Sequence, residues 1–202
     1  MSSFAEALPV RGLLAAALAL GLAAPAAAQT GAPAMRPFES VELRYAVMLP
    51  TDCRHEEGPG TLEAICTPDL DARRAAELPS AGAFVLEVDG EDVPADAKIY
   101  DAAAFQDELA ENVCGESDAT KVTVRNVAQS AVGGAQMFTA TVVCPEIKFL
   151  GLPVRNAEVR TLAYPRFRYR LMSRWPGEAT PGVRSATAAF FSSFRSTAGT
   201  AP

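Results

Sequence analysis

The chain has 202 residues, of which 24 are Asp or Glu, 18 are Lys or Arg, four are Cys and one is His. With 49% hydrophobic and 21% charged residues, it is too apolar for a disordered tail and too varied for a collagen-like or low-complexity protein. A net charge of −6 disfavours nucleic-acid binding, because phosphate neutralisation requires a basic face, and a single His excludes a His-rich metal cluster.

The first 28 residues have the pattern of a secretory signal peptide. Arg11 precedes an apolar run over residues 12–24 that is too short to span about 30 Å of hydrocarbon. The alanines that follow predict cleavage after Ala28, with cleavage after Ala34 as the alternative. We therefore expect a periplasmic or secreted protein with no transmembrane segment after cleavage. The expected division is a signal peptide at residues 1–28, a flexible leader at 29–37, a single domain at 38–195 and a disordered tail at 196–202.

Beyond the leader, residues 41–49 alternate between apolar and polar side chains. A period of two residues is typical of a half-buried strand. The apolar side chains predicted to share its inner face are those of Val41, Leu43, Tyr45, Val47 and Leu49.

The four cysteines of an exported chain are expected to form two disulfides, because the compartment is oxidising. Four cysteines allow three connectivities. Cys53 and Cys66 flank Pro59-Gly60, a dipeptide that fits the centre of a type II turn. Counting outward from this turn places the two cysteines opposite each other in a hairpin. The sequence therefore favours a Cys53–Cys66 bond, which leaves Cys114 to pair with Cys144.

The middle of the chain contains one strand and one helix. Residues 67–82 are predicted to be irregular, with a short helix at residues 73–78, and residues 83–88 form a strand that ends at Asp89-Gly90. Asp101 is the predicted N-cap of a helix that Gly115 ends. The apolar residues that recur on one face of this helix are Phe105, Leu109 and Val113.

The C-terminal part is predicted to contain two strand pairs and a helix. Residues 121–132 and 135–144 are joined by Gly133-Gly134, a strong signal for a two-residue hairpin. Residues 157–164 and 166–175 form the second pair. Thr180 caps the last helix and Pro181 begins it. The inner face of that helix is predicted to consist of Val183, Ala186, Phe190 and Phe194.

This order of elements predicts one α+β domain, with helices packed on a twisted antiparallel sheet and two disulfides. Four features carry a further likeness: the opening strand that leads into Leu49-Pro50, the helix after Asp101, the Gly133-Gly134 hairpin, and residues 169–175 followed by 190–194. In this layout the chain resembles the PsbP-like superfamily of secreted α-β-α sandwich proteins over residues 38–195. The resemblance implies an accessory, binding or assembly role rather than catalysis.

Few residues could carry out catalysis or bind a metal. Cys53 and His55 would lie on one side of a strand, as a Cys–His nucleophile requires, but we expect Cys53 to be disulfide-bonded and therefore unreactive. The adjacent side chains of His55, Glu56 and Glu57 diverge too far to hold zinc. The acids of residues 89–96 are closer to solvated turn residues than to a calcium loop. We predict no enzyme, no metal and no cofactor; the alternative is a small secreted hydrolase that uses His55 or an acid pair.

Charge is distributed unevenly along the chain. Residues 39–118 contain 20 acidic and 5 basic residues, whereas residues 119–202 contain 3 acidic and 11 basic residues. In the basic half, Arg166, Arg168 and Arg170 alternate with apolar or aromatic residues and would project from one face of a strand. Arg160 and Arg174 extend this row in the prediction.

Two interpretations of these arginines are open, and the pattern favours the first. In the first, acids from the N-terminal half pair with them inside one globule. In the second, Arg160, Arg166, Arg168, Arg170 and Arg174 bind an acidic protein surface or an anionic envelope component, because guanidinium groups recognise carboxylate and phosphate. The predicted function is that of an exported, non-enzymatic binding or accessory protein. A disulfide-stapled structural protein without a ligand site is a third interpretation.

Overall fold

The computed structural model describes residues 33–66, 82–149 and 152–197. The predicted signal peptide and the predicted short helix at residues 73–78 lie outside these ranges. Within them the elements are, in chain order, β1 (Met35–Ser40), β2 (Tyr45–Pro50), β3 (Arg54–Gly58), β4 (Thr61–Cys66), β5 (Phe84–Asp92), α1 (Ala102–Cys114), a 3-10 helix (Ala119–Lys121), β6 (Thr123–Val132), β7 (Ala135–Phe149), β8 (Leu152–Ala163), β9 (Phe167–Trp175), α2 (Pro181–Ser193) and β10 (Arg195–Ser196).

Seven antiparallel strands form the main sheet, in the order β3-β4-β5-β9-β8-β7-β6. Side chains alternate across β9: Tyr169 and Leu171 pack with α2 and with the small sheet β1-β2-β10, whereas Met172 packs with α1. The two sides of the main sheet are called the α2 face and the α1 face below. The α+β prediction is confirmed in its main lines, although the domain is richer in sheet than the sequence suggested.

The two helices begin where the sequence placed their caps. The Asp101 carboxylate accepts a hydrogen bond from the Ala104 N–H at 2.9 Å, and the Thr180 hydroxyl accepts one from the Val183 N–H. Gly115 adopts the left-handed conformation (φ 62°) that ends α1. The predicted inner residues of both helices are buried, except that Phe194 lies just past the end of α2 and is half-buried.

Both disulfides form as the sequence favoured, Cys53 with Cys66 and Cys114 with Cys144. The hairpin between Cys53 and Cys66 has the predicted register, with Gly58 opposite Thr61, and Gly60 has the positive φ (78°) that the second central position of its turn requires. The second disulfide joins the C-terminal end of α1 to β7. Each helix is thereby fixed on its own face of the sheet, α2 by apolar packing and α1 by packing and a covalent bond.

The prediction of one strand over residues 41–49 is wrong. Residues 41–44 form a turn between β1 and β2, Val41 is 86% exposed, and Arg44 has a positive φ of 54°. The strand that precedes this turn, β1, begins at Met35, inside the segment predicted to be a leader. Pro37 is compatible with a strand there because β1 is an edge strand and needs fewer N–H donors.

Several strands are longer than predicted. β5 continues past Asp89-Gly90 to Asp92, and Gly90 pairs with Tyr169 of β9, whose ring packs close to it: a Cβ at position 90 would lie 3.4 Å from the ring. β7 continues beyond Cys144 to Phe149, and β8 begins earlier than predicted, at Leu152, so that these two strands pair up to Phe149 opposite Leu152. At the other end of the same region Lys121 belongs to the 3-10 helix, and β6 starts two residues later than predicted.

Candidate functional site

Three of the predicted arginines lie on the α1 face of β9 and meet acidic residues of β5. In the β5–β9 register Asp89 is opposite Arg170 and Glu91 is opposite Arg168. Arg174 reaches Glu87 on the same face. The acids belong to the acidic half of the chain and the arginines to the basic half. Arg168, Arg170 and Arg174 therefore form ion pairs with acids of the N-terminal half of the chain, as the first of the two interpretations expects.

Arg168 is held by several groups at once. It forms an ion pair with Glu91, and its Nη1 lies 3.5 Å from Glu108 Oε1 of α1. Its guanidinium also stacks on Tyr100, 4.3 Å from the ring centroid, and the Tyr100 hydroxyl donates to Glu108 Oε2 at 3.0 Å. These contacts join β9 to β5, to the segment before α1 and to the middle of α1, so Arg168 has little capacity left for an external ligand.

Arg174 forms a buried ion pair with Glu87 beneath α1. Its side chain is 4% exposed and that of Glu87 is 10% exposed. Arg174 Nη1 donates to Glu87 Oε2, and Nη2 donates to the main-chain oxygen of Asn112 in α1 at 3.4 Å. Burial raises the pKa of Glu87 to about 7, although the charge of Arg174 acts in the opposite direction. This pair fixes α1 against the centre of the sheet.

The raised pKa of Glu87 predicts that the protein loses stability as the pH rises through neutrality. A carboxyl group with a higher pKa in the folded state binds its proton more tightly there, so its contribution is complete below about pH 4.5 and is lost as the pH passes about 7. Burial raises the pKa of Asp89 as well, with the same sign. We expect the free energy of unfolding to fall by about 2 kcal/mol between pH 5 and pH 8. In urea titrations, Glu87→Gln should make the free energy of unfolding depend less on pH. An unchanged pH dependence would show that another group causes it.

Arg170 is less tightly engaged than its neighbours. Its Nη1 lies 3.9 Å from Asp89 Oδ2, at the limit of an ion pair. It borders a polar cleft of about 370 Å³ between the β3–β4 turn and Asn112 of α1, which Arg168 also lines. Asp89 and Glu91 line the same cleft, so its two positive charges face two negative ones.

The remaining two predicted arginines lie elsewhere. Arg160 does not extend the row, because β8 pairs it with Leu171, and its guanidinium stacks on Phe191 of α2 at 4.5 Å, on the opposite face of the sheet. Arg166 lies in the turn between β8 and β9 and is exposed. Of the five predicted residues, the structure thus groups three on one face and separates the other two.

Four turns meet at one end of the domain, and Arg166 belongs to one of them. They comprise residues 41–44, 93–101, 133–134 and 164–166, and we call this region the loop end. The Val93 N–H donates to the Arg166 main-chain oxygen at 2.9 Å, and the Tyr169 hydroxyl donates to the Leu43 main-chain oxygen at 2.9 Å. These bonds join the turns to the start of β9.

The loop end contains two adjoining grooves that share Asp92, Val93 and Pro94. The first has a volume of about 390 Å³ and lies between Tyr100 and Tyr164, with Ile99, 89% exposed, at its rim. The residues that complete the second groove are Arg44, Arg166 and Phe167. This groove therefore offers apolar and aromatic side chains next to charged ones.

Three basic side chains at the loop end are available to a ligand. Within residues 33–66, 82–149 and 152–197, no carboxylate lies within ion-pair distance of Arg44, Lys98 or Arg166. Arg44 stacks on Phe167, with 4.7 Å from its guanidinium carbon to the ring centroid, and its side chain is exposed. Sequence reasoning identified Arg166 but missed Arg44 and Lys98, because only the fold brings these turns together.

The hydrolase alternative loses its Cys–His form in the structure. Cys53 is bonded to Cys66, and His55 Nδ1 accepts a hydrogen bond from Arg36 Nη2 at 2.7 Å. The acids of residues 89–96 do not converge, because Asp89 and Glu91 turn toward arginines. In the described part of the chain no three His, Cys, Asp or Glu side chains are placed to hold a metal ion. No helix in that part is long and apolar enough to cross a membrane.

No protein-family model matches the chain, and no curated protein matches its sequence. Its architecture is nevertheless similar to the solution structure of cyanobacterial PsbP (CyanoP) from Synechocystis sp. PCC 6803, with a TM-score of 0.56 and 13% identity over 83% of this chain and 95% of that one. The chain has a PsbP-like fold. The same fold matches the Ran-binding protein Mog1p of Saccharomyces cerevisiae, with a TM-score of 0.54 and 10% identity over 82% of this chain and 97% of Mog1p. The PsbP-like resemblance in the sequence is thereby confirmed as a likeness of fold.

Proposed function

We propose that this PsbP-like chain is an exported, non-enzymatic binding protein whose loop end recognises an acidic surface of another protein. The observation that carries the proposal is the set of Arg44, Lys98 and Arg166, which line two adjoining grooves without a carboxylate partner among the described residues. The free carboxylate that lines both grooves is Asp92. The grooves therefore carry an excess of positive charge on a protein whose net charge is −6.

The contrast with β9 supports this choice of surface. Arg168 and Arg174 are bound to carboxylates inside the domain, so an external anion would have to displace an ion pair that the fold itself uses. The loop-end cations need no such exchange. Charges of this kind chiefly determine association rate and partner choice. The rest of the affinity is expected from an apolar side chain of the partner that enters the groove beside Ile99.

Export and the absence of catalysis rest on separate observations. Two disulfides suit an oxidising compartment, and the N-terminal sequence has the pattern of a signal peptide. Cys53 and His55 are engaged in a disulfide and a hydrogen bond, and the acids near Gly90 are paired with arginines. One protein of the same fold, Mog1p, is a Ran-binding protein, and a protein partner is what we propose here.

The test is a double charge reversal, Lys98→Glu with Arg166→Glu, measured against a peptide of alternating Glu and Leu. We expect the reversed protein to bind at least tenfold more weakly, about 1.4 kcal/mol, and the wild-type affinity to fall with added salt. The melting temperature should stay unchanged, because both side chains are exposed.

The control is Arg155→Glu, which reverses an exposed arginine near the start of β8 and changes the net charge by −2, as each of the two loop-end substitutions does. It should bind the acidic peptide as the wild type does. Equal binding by the doubly reversed protein, or equal weakening by Arg155→Glu, would show that the loop end is not the recognition surface.

A further inference from the structure

The two edges of the main sheet differ in how they are protected against pairing. β3, at one edge, is five residues long and carries Arg54, Glu56 and Glu57. β6, at the other edge, is ten residues long, and Arg125 is its one charged residue. Edge strands are usually short or contain charged residues or prolines, because their unpaired N–H and C=O groups would otherwise pair with another strand. β6 lacks this protection over most of its length.

The unprotected part of β6 is its C-terminal half. A bulge between Arg125 and Ala128, where Asn126 has a φ of 54°, interrupts the pairing with β7. The segment from Ala128 to Val132 beyond the bulge pairs regularly with β7. All five side chains of this segment are exposed, and none is charged or proline. It is a short, regularly paired and neutral segment at the edge of the sheet.

The hairpin turn determines which groups of this segment point outward. Gly133 and Gly134 both have positive φ, as in a type I′ turn, and Val132 is paired with Ala135 across it. In such a hairpin the residues that flank the turn exchange hydrogen bonds, and every second residue along the strand does the same. The N–H and C=O groups of Gln129 and Ala131 therefore point away from β7, toward the side of β6 on which the described residues place no further strand.

We propose that this segment pairs antiparallel with the same segment of a second copy of the chain, about a two-fold axis at Ser130. Gln129 of each copy then lies opposite Ala131 of the other, and their outward N–H and C=O groups form four hydrogen bonds. Ser130 lies opposite Ser130, and Ala128 opposite Val132. The main sheets of the two copies become continuous.

A second copy fits this edge because the segment is complementary to itself. The two-fold axis places Ser130 opposite itself and every other residue of the segment within four positions of its own copy, so charges of one sign in this strand would repel each other across the interface, whereas this neutral segment has none. Val132, which is 47% exposed, would contact Ala128 of the second copy, and the two-fold symmetry produces this contact twice. Five residues a side cover less than the roughly 1,000 Å² of a stable complex, so we expect a reversible, concentration-dependent dimer.

The first experiment places a cysteine on the two-fold axis. Under mild oxidation Ser130→Cys should give a disulfide-linked dimer, because side chains opposite each other in an antiparallel pair have Cβ atoms about 5 Å apart. Ser192→Cys is the matched control, an exposed serine on α2, far from the proposed axis in the fold. Cross-linking of Ser130→Cys no faster than that of Ser192→Cys would overturn the proposal.

The second experiment measures the association itself by sedimentation equilibrium. Ser130→Lys places two ammonium groups opposite each other and should weaken the dimer at least tenfold, whereas Ser130→Thr should leave it intact. A wild type that stays monomeric at every concentration would overturn the proposal, and it would point to a strand of another protein at this edge. An unchanged dimer in Ser130→Lys would also overturn it. These substitutions leave the loop-end cations in place, so the acidic-peptide assay is independent of the result.

Discussion

Replacing Arg174 by methionine is expected to lower the free energy of unfolding by about 3–5 kcal/mol. The substitution keeps most of the side-chain volume but leaves Glu87 without its counter-charge beneath α1, where it is 10% exposed. Because the charge of Arg174 lowers the pKa of Glu87, its loss raises that pKa further, so at pH 8 the carboxyl group must either stay charged and unpaired or take up a proton, and both cost free energy. The measurement is urea unfolding at pH 8, where Glu87 of the wild type is charged. At pH 5 the loss should be smaller, because Glu87 then holds a proton and needs no counter-charge.

The double variant Glu87→Leu with Arg174→Met separates the value of the pair from the cost of breaking it. Replacing both partners by apolar residues removes the buried charge, so most of the lost stability should return. Arg155→Met is the control for the loss of an exposed arginine and should cost less than about 0.5 kcal/mol. A single Arg174→Met variant that loses under 1 kcal/mol would contradict a paired, charged Glu87.

Removal of the Cys114–Cys144 bond is the second change with a large expected effect. Replacing both cysteines by alanine should lower the free energy of unfolding by about 3–4 kcal/mol, because the unfolded chain is no longer constrained over a separation of 30 residues. α1 is expected to open first, since the bond ties its C-terminal end to β7. Hydrogen exchange should therefore quicken in α1 before it does so in α2.

The Cys53–Cys66 bond provides the comparison. It closes a separation of 13 residues, within a hairpin that the β3–β4 ladder already holds, so its removal should cost less. Exchange in α1 should then stay at the wild-type rate. A greater loss at Cys53–Cys66, or unchanged exchange of α1 in the Cys114–Cys144 variant, would contradict this account.

The elements predicted correctly are those whose signals lie within a few residues of each other. Asp101 and Gly115 mark the ends of α1 through local backbone hydrogen bonds, and Pro59-Gly60 determines the register that brings Cys53 to Cys66. The Gly133-Gly134 hairpin is of the same kind. In each case the physical cause is a turn or cap that a short stretch of sequence determines alone.

The incorrect and missing predictions depend on contacts between distant residues. Alternation continues from Val41 to Leu49, but the left-handed backbone at Arg44 breaks it, and an arginine gives no sign of that conformation. Arg168 and Arg174 meet acids 77 and 87 residues away, which the register of β5 with β9 determines. The loop end is assembled from four separate turns, so neither Arg44 nor Lys98 is distinguished in the sequence.

The position of β9 has a consequence for how the molecule is made. β9 is the last strand of the main sheet in sequence, yet it lies between β5 and β8 at the centre. Until it is synthesised, β3–β5 and β6–β8 are two separate strand groups with unpaired inner edges, and the carboxylates of β5 have no counter-ions. A chain that is synthesised from its N-terminus can therefore complete the main sheet only after residue 175 has been made. Until then its unpaired strand edges are exposed and can aggregate.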